Sequence, residues 1–144
     1  MKAVVLRETG GPDRLELTEV PDPEPADGEV VVRVCAAGVN FADVLVRQGR
    51  YPQPPELPTV PGSEVAGEVD GRRVMALPRG GGCAEAVAVD EQLVVPLPDG
   101  ASFEEGAGFL LTFLTAWIPL TRQVQVGSGS VVLVHAGSGG VGSA

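Results

Sequence analysis

The sequence predicts a mainly β chain, a small antiparallel β-barrel followed by the opening of an α/β unit. Three observations carry that prediction. Short apolar segments with strand patterning recur at turn-spaced intervals through residues 1–100. The composition changes at Pro98-Asp-Gly100, where a helix-start signature follows. A run of branched apolar residues, Val131-Val-Leu-Val-His-Ala136, then leads directly into Gly137-Ser-Gly-Gly-Val-Gly142.

The composition agrees. With 144 residues and 44% hydrophobic content the chain can bury a core of ordinary size, and 20 glycines and 13 prolines against 4% aromatics favour short strands and many turns over a helical bundle. A formal charge of −9 argues against nucleic acid or an anionic membrane as the main partner. No charged-then-apolar leader opens the sequence and no apolar run approaches about 18 residues, so the expected location is the cytoplasm. Cys35 and Cys83 stand far apart with no Cys-x-x-Cys pair, which points to two small hydrophobes rather than a zinc site, a redox dithiol or a disulfide.

Taken in order, residues 1–6 form a strand, Gly10-Gly-Pro12 a turn, and residues 15–20 a second strand with period-two alternation. Pro21, Pro23 and Pro25 forbid regular structure up to the Asp27-Gly28 turn. Residues 29–36 are the strongest strand of the front half, and their valines suggest burial on both faces. Residues 39–49 read as a short helix with Phe41, Val44 and Leu45 on its apolar face, Asn40 as its cap and Gly49 at its end. The segment from Tyr51 to Gly62 is proline-ruled coil.

Residues 63–69 resume strand character, and Asp70-Gly71 is the two-residue hairpin signal before the next strand, Arg72-Arg-Val-Met-Ala-Leu77. After the Arg79-Gly-Gly-Gly82 turn come strands at 84–89 and 93–97. Ser102-Phe-Glu-Glu105 is a capping box, so a helix is expected over 103–114, with a second one through 117–124 whose start Pro119 places near residues 116–118. Residues 131–136 then read as a buried parallel strand. Gly-x-Gly-x-x-Gly directly after a strand is the turn that brings a dinucleotide pyrophosphate onto a helix N-terminus. Gly137 allows the tight turn, Gly139 lets the backbone approach the phosphates, and Gly142 lets the next helix pack closely on the strand.

Gly38-Val-Asn-Phe-Ala-Asp43, Arg47-x-Gly49-x-Tyr51-Pro52, Pro61-Gly-Ser-Glu64-x-x-Gly67, Leu114-Thr-Ala-Trp117 and the strand with its glycine turn occur here in one order. In that order and spacing the chain resembles the medium-chain dehydrogenase/reductase superfamily, and within it the zinc-independent quinone oxidoreductase, zeta-crystallin-like branch. The resemblance implies a GroES-like β-barrel domain over residues 1–100, followed over 101–144 by connecting helices and the truncated start of a Rossmann domain. NADPH, or NADH, would lie between the two.

By the same resemblance, zinc-dependent relatives carry cysteine where this chain has Asn40 and histidine where it has Ser63. An amide and a hydroxyl are poor zinc ligands, so no zinc is expected and alcohol oxidation by a metal-bound alkoxide is disfavoured. Hydride addition to a quinone or an α,β-unsaturated carbonyl fits better.

The resemblance places Asn40 against the nicotinamide and substrate and Tyr51 at the pocket as a donor or wall, the two catalytic candidates. It assigns cofactor contacts to Asn40, Thr115, Gly137, Ser138, Gly139, Gly140, Val141 and Gly142. Plainer readings stand beside these: Asn40 as a helix cap alone, Tyr51 as a packing residue, Thr115 as an ordinary helix-start hydroxyl. Asp43 and Glu64 read as structural acids, Ser63 as no nucleophile, and His135 as a strand residue.

The resemblance makes the parent protein an NADPH-dependent quinone or enone reductase, expected as a homodimer. The alternatives are an enoyl-thioester reductase of fatty-acid or polyketide metabolism and, for the 144 residues alone, a noncatalytic barrel fragment that binds NADPH weakly or not at all.

Overall fold

The structure, a computed structural model, describes residues 1–124 and 126–144. Among these residues are the strands β1 (Lys2–Leu6), β2 (Leu15–Glu19), β3 (Glu29–Ala37), β4 (Val65–Val69), β5 (Arg72–Ala76), β6 (Ala86–Asp90) and β7 (Val94–Pro96). The helices are α1 (Phe41–Arg47), α2 (Phe103–Ala107), α3 (Leu110–Ile118) and α4 (Gly140–Ser143).

The expected antiparallel β unit is present as two sheets. β1 pairs with β2, and the five-stranded sheet runs β6-β3-β4-β5-β7 with every neighbouring pair antiparallel. The ribbon is tied to the rest at the Ala3–Ala84 and Leu6–Thr59 bridges. Asp70 (φ 50°) and Gly71 (φ 75°) both take the left-handed conformation that the two-residue hairpin between β4 and β5 requires.

One face of the large sheet gathers Val32, Val65, Val69, Val74, Ala76, Val87 and Val89 into the main core. The other packs Ala66, Met75 and Leu97 against Ala107 at the end of α2. Gly106 makes that contact close, since a Cβ there would stand 2.6 Å from Leu97 Cδ1.

β3 corrects the expectation of a strand buried on both faces. Val32 is buried but Arg33 and Cys35 are exposed, because β3 alternates between core and surface. Its register on β4 slips by one residue between Val34 and Ala36, which makes Cys35 the extra residue of a bulge. Phe41 is likewise on the outside, 72% exposed, so the apolar spacing of α1 does not describe a fully buried face.

The connecting helices differ from the expectation more instructively. The capping box forms, with Ser102 Oγ accepting from Glu105 N–H (3.1 Å) and Glu105 Oε2 from Ser102 N–H (2.8 Å). The helix it starts ends at Ala107, however, and α3 begins at Leu110 and runs through residue 116 without interruption. The chain continues past Pro119 as a widened turn, Pro119–Gln123, with Val124 N–H donating to Pro119 O at 2.8 Å. A wider turn accommodates a proline, which offers no N–H and crowds the carbonyl four residues back.

Residues 131–136, expected as a buried strand, form no strand. Val131 is 98% exposed and no described residue pairs with this segment; a single strand without neighbours has no partner for its backbone groups. The glycine turn that follows does lead into a helix, the single turn α4.

Candidate active site

The sequence between β3 and β4 builds the front of the site. Gly38 must be glycine here, because a Cβ would fall 2.1 Å from Ala107 O. The chain then turns into α1 at Asn40, the N-cap, with Asp43 at the third helical position. The bond that meets good geometry runs from Asn40 N–H to Asp43 Oδ2, 2.8 Å, while the Asn40 side chain makes no cap bond. Capping alone therefore does not describe Asn40, whose Nδ2 donates instead to Glu64 Oε2 at 3.0 Å.

Glu64 is fully buried, and its other oxygen accepts from Leu111 N–H at 2.9 Å. That bond satisfies a first-turn N–H of α3 and explains why a new helix starts there. Asp43 has a second task. Its Oδ1 accepts from Gly62 N–H (3.2 Å) and from Ser63 Oγ (3.4 Å), fastening α1 to the segment before β4. The reading of both acids as structural is consistent with these bonds.

Beside this network lies a cavity of about 450 Å³ between α1, the proline-ruled segment and the 78–80 turn. Tyr51, Gln53, Ser63, Arg79 and Asp43 supply its polar lining. Tyr51 is 39% exposed, lines this cavity, and its phenol makes no hydrogen bond to another described residue. Arg79 is held by a loop zipped to residues 60–62, with Gly81 N–H on Val60 O (2.7 Å) and Cys83 N–H on Pro61 O (2.9 Å). Sequence reading passed over Arg79 as part of a glycine-rich turn; what fixes this loop is its backbone bonding to residues 60–62, which three glycines in sequence do not signal.

Cys83 sits at the edge of this region, packed on Gly62, where a Cβ would lie 2.9 Å from Sγ. Burial first, and the Asp43 charge second, push its thiol pKa up.

A second cavity, about 440 Å³, lies between α3 and the glycine turn and is lined by Thr115, His135, Gly139 and Gly142 among others. The structure thus brings Thr115 and the glycine turn together, and Asn40 and Glu64 together. Asn40 lines neither cavity, and Tyr51 and Thr115 line different ones. Thr115 Oγ1 donates to Leu111 O at 2.6 Å, which commits its proton to the helix. Gly142 is tight, with a Cβ position 2.2 Å from Ala136 O, whereas Gly137 has open space around its Cα.

Residues 26–99, which carry β3 to β7 and α1, match the alcohol dehydrogenase GroES-like domain. The chain belongs to that family. The GroES-like chain is 42% identical over 155 residues to the human synaptic vesicle membrane protein VAT-1 homolog-like, covering 100% of this chain and 37% of that protein. It is 36% identical over 157 residues to mouse quinone oxidoreductase, covering 100% of this chain and 47% of that one.

Among solved structures, the quinone oxidoreductase of Thermus thermophilus, determined also in complex with NADPH, superposes with a TM-score of 0.93 at 50% identity. That match covers 99% of this chain and 48% of the Thermus chain. The GroES-like chain therefore spans less than half the length of each of these relatives. No helix among its described residues is long and apolar enough to cross a membrane.

Proposed function

We propose that this chain is the substrate-side portion of an NADPH-dependent quinone or enone reductase that works without zinc, with residues 1–100 as the barrel and 101–144 as the start of a Rossmann domain. The likeness to the Thermus quinone oxidoreductase solved with NADPH, 50% identical over 99% of this chain, carries the reading. The domain division is supported by the family match, which stops at residue 99, and by the helix start at Phe103.

The residues suit such a cofactor. Open space at Gly137, and a Cβ position at Gly139 that meets only Ala136 O at 3.2 Å, leave these two residues without a neighbouring side chain at the Cβ position, as close approach of a pyrophosphate requires. When bound, the reduced nicotinamide would supply the hydride. On our reading Asn40 and Thr115 position it, and Tyr51 donates a hydrogen bond to the oxyanion that develops on the acceptor. Zinc independence is supported by the donor set: Asn40 is engaged with Glu64, and Ser63 with Asp43.

The test is NADPH oxidation by the full-length protein after EDTA treatment, with 1,4-benzoquinone, 9,10-phenanthrenequinone and crotonyl-CoA. Turnover of quinones that chelation leaves unchanged is the expected outcome. Turnover of crotonyl-CoA alone would transfer the reading to a thioester reductase, and activity abolished by EDTA would overturn the zinc-independent part.

A further inference from the structure

We propose that Glu64 is a positioning residue that fixes the direction of the Asn40 amide and locks it to the first turn of α3. The functional weight of this inference rests on the reading that Asn40 faces the cofactor; its geometric part does not.

Glu64 is the charged residue that the fold buries completely, at 0% exposure, and no ion pair to it occurs among the described residues. A buried carboxylate without a cation is costly unless its oxygens are well bonded. Each oxygen has one donor, Leu111 N–H on Oε1 and Asn40 Nδ2 on Oε2. A leucine would fill the same space without that cost, so mere packing does not account for an acid here.

What an acid adds is polarity. A carboxylate only accepts, so the group that Asn40 turns toward it must be the NH2. The reversed amide would set two oxygens against each other. Glu64 therefore chooses one of the two amide orientations, leaving the second Nδ2 hydrogen as the donor Asn40 can offer elsewhere.

Leu111 joins the second wall to the same point. Its N–H holds Glu64 while its carbonyl accepts from Thr115 Oγ1 at 2.6 Å. Both candidate cofactor contacts outside the glycine turn, Asn40 and Thr115, are thereby referred to one buried carboxylate. Gly38 keeps the joint close: a Cβ there would stand 3.1 Å from Glu64 Oε2 as well as against Ala107 O.

The experiment uses the full-length protein and the variants Glu64→Gln, Asn40→Ala and the double variant. Glu64→Gln keeps the acceptor for Leu111 but presents an NH2 to Asn40. We expect it to lower kcat at least tenfold in the wild-type background and less than twofold in the Asn40→Ala background, while its shift in Tm is the same in both. An equal loss of kcat in both backgrounds would overturn the proposal.

A readout independent of turnover is the side-chain NH2 signal of Asn40 in a 15N spectrum, assigned by its disappearance in Asn40→Ala. In the wild type it should exchange with solvent at least tenfold more slowly than the exposed glutamine amides of Gln48, Gln53, Gln92 and Gln123, and exchange at their rate would overturn the proposal even if Glu64→Gln does not fold. If the protein turns over no quinone, this signal still decides the geometry, so failure of the functional reading is distinguishable from failure of this one.

Discussion

The carboxylate of Glu64 reaches across 47 residues of sequence to accept the Leu111 N–H at 2.9 Å. This bond joins the end of the loop before β4 to the start of α3, and so joins the antiparallel unit to the helices that follow it. Replacing the acid by leucine should show what the joint contributes. Glu64→Leu leaves two half-buried donors, Leu111 N–H and Asn40 Nδ2, without acceptors, so we expect unfolding free energy to fall by about 2–4 kcal/mol in urea titration. A loss below about 0.5 kcal/mol would mean that water replaces the carboxylate at both donors.

Much of the antiparallel unit was legible because its signals are local. Asp70-Gly71 names its own turn, Ser102 and Glu105 name their own cap, and both formed as read. What was not legible depends on distant partners. α2 ends and α3 begins where Glu64 supplies an acceptor, a fact absent from the sequence around residue 108. Residues 131–136 have a strand's composition, but a strand exists only with a neighbour, and composition cannot provide one. At the site, Asn40 was found through its motif, whereas its bond to Glu64 follows only from the folded loop.

The two cysteines should react at different rates. Cys35 is the exposed bulge residue of β3, while Cys83 is half-buried with its thiol pKa raised by desolvation and by Asp43. Iodoacetamide at neutral pH should label Cys35 first by mass spectrometry, at least about tenfold faster, because the thiolate is the nucleophile. The raised pKa also has a sign for stability. The unfolded chain loses the Cys83 proton before the folded one does, so this contribution is intact below the ordinary thiol pKa and is lost as pH rises from there through the raised folded value. Cys83→Ser should therefore flatten the decline of Tm on the alkaline side, and an unchanged slope would contradict the assignment.

The glycines of the turn should separate into structural and ligand-facing positions. Gly142→Ala puts a methyl 2.2 Å from Ala136 O and should disrupt the turn into α4, whereas Gly137→Ala adds one into open space. The circular dichroism spectrum of Gly137→Ala should match the wild type, and its unfolding free energy should stay within about 0.5 kcal/mol of it. If the turn holds a pyrophosphate, NADPH affinity of the full-length Gly137→Ala protein falls at least tenfold by fluorescence titration. Unchanged affinity would mean that the phosphates do not approach that residue.

Arg79 should set substrate preference. It is a cation lining the 450 Å³ cavity of a chain whose formal charge is −9, and no salt bridge to an acid engages it among the described residues. Tyr51 and Ser63 line the same cavity, so an acceptor oxygen held there would meet a hydroxyl donor and a guanidinium together. Arg79→Glu reverses that charge on a loop whose backbone is pinned at Gly81 and Cys83, so the fold should hold while the cavity's potential changes. For the full-length protein we expect kcat/KM with a sulfonated or carboxylated quinone to fall at least tenfold more than with 1,4-benzoquinone, chiefly through KM, and the difference to shrink as ionic strength rises. Equal losses for charged and neutral acceptors would show that Arg79 does not face the substrate.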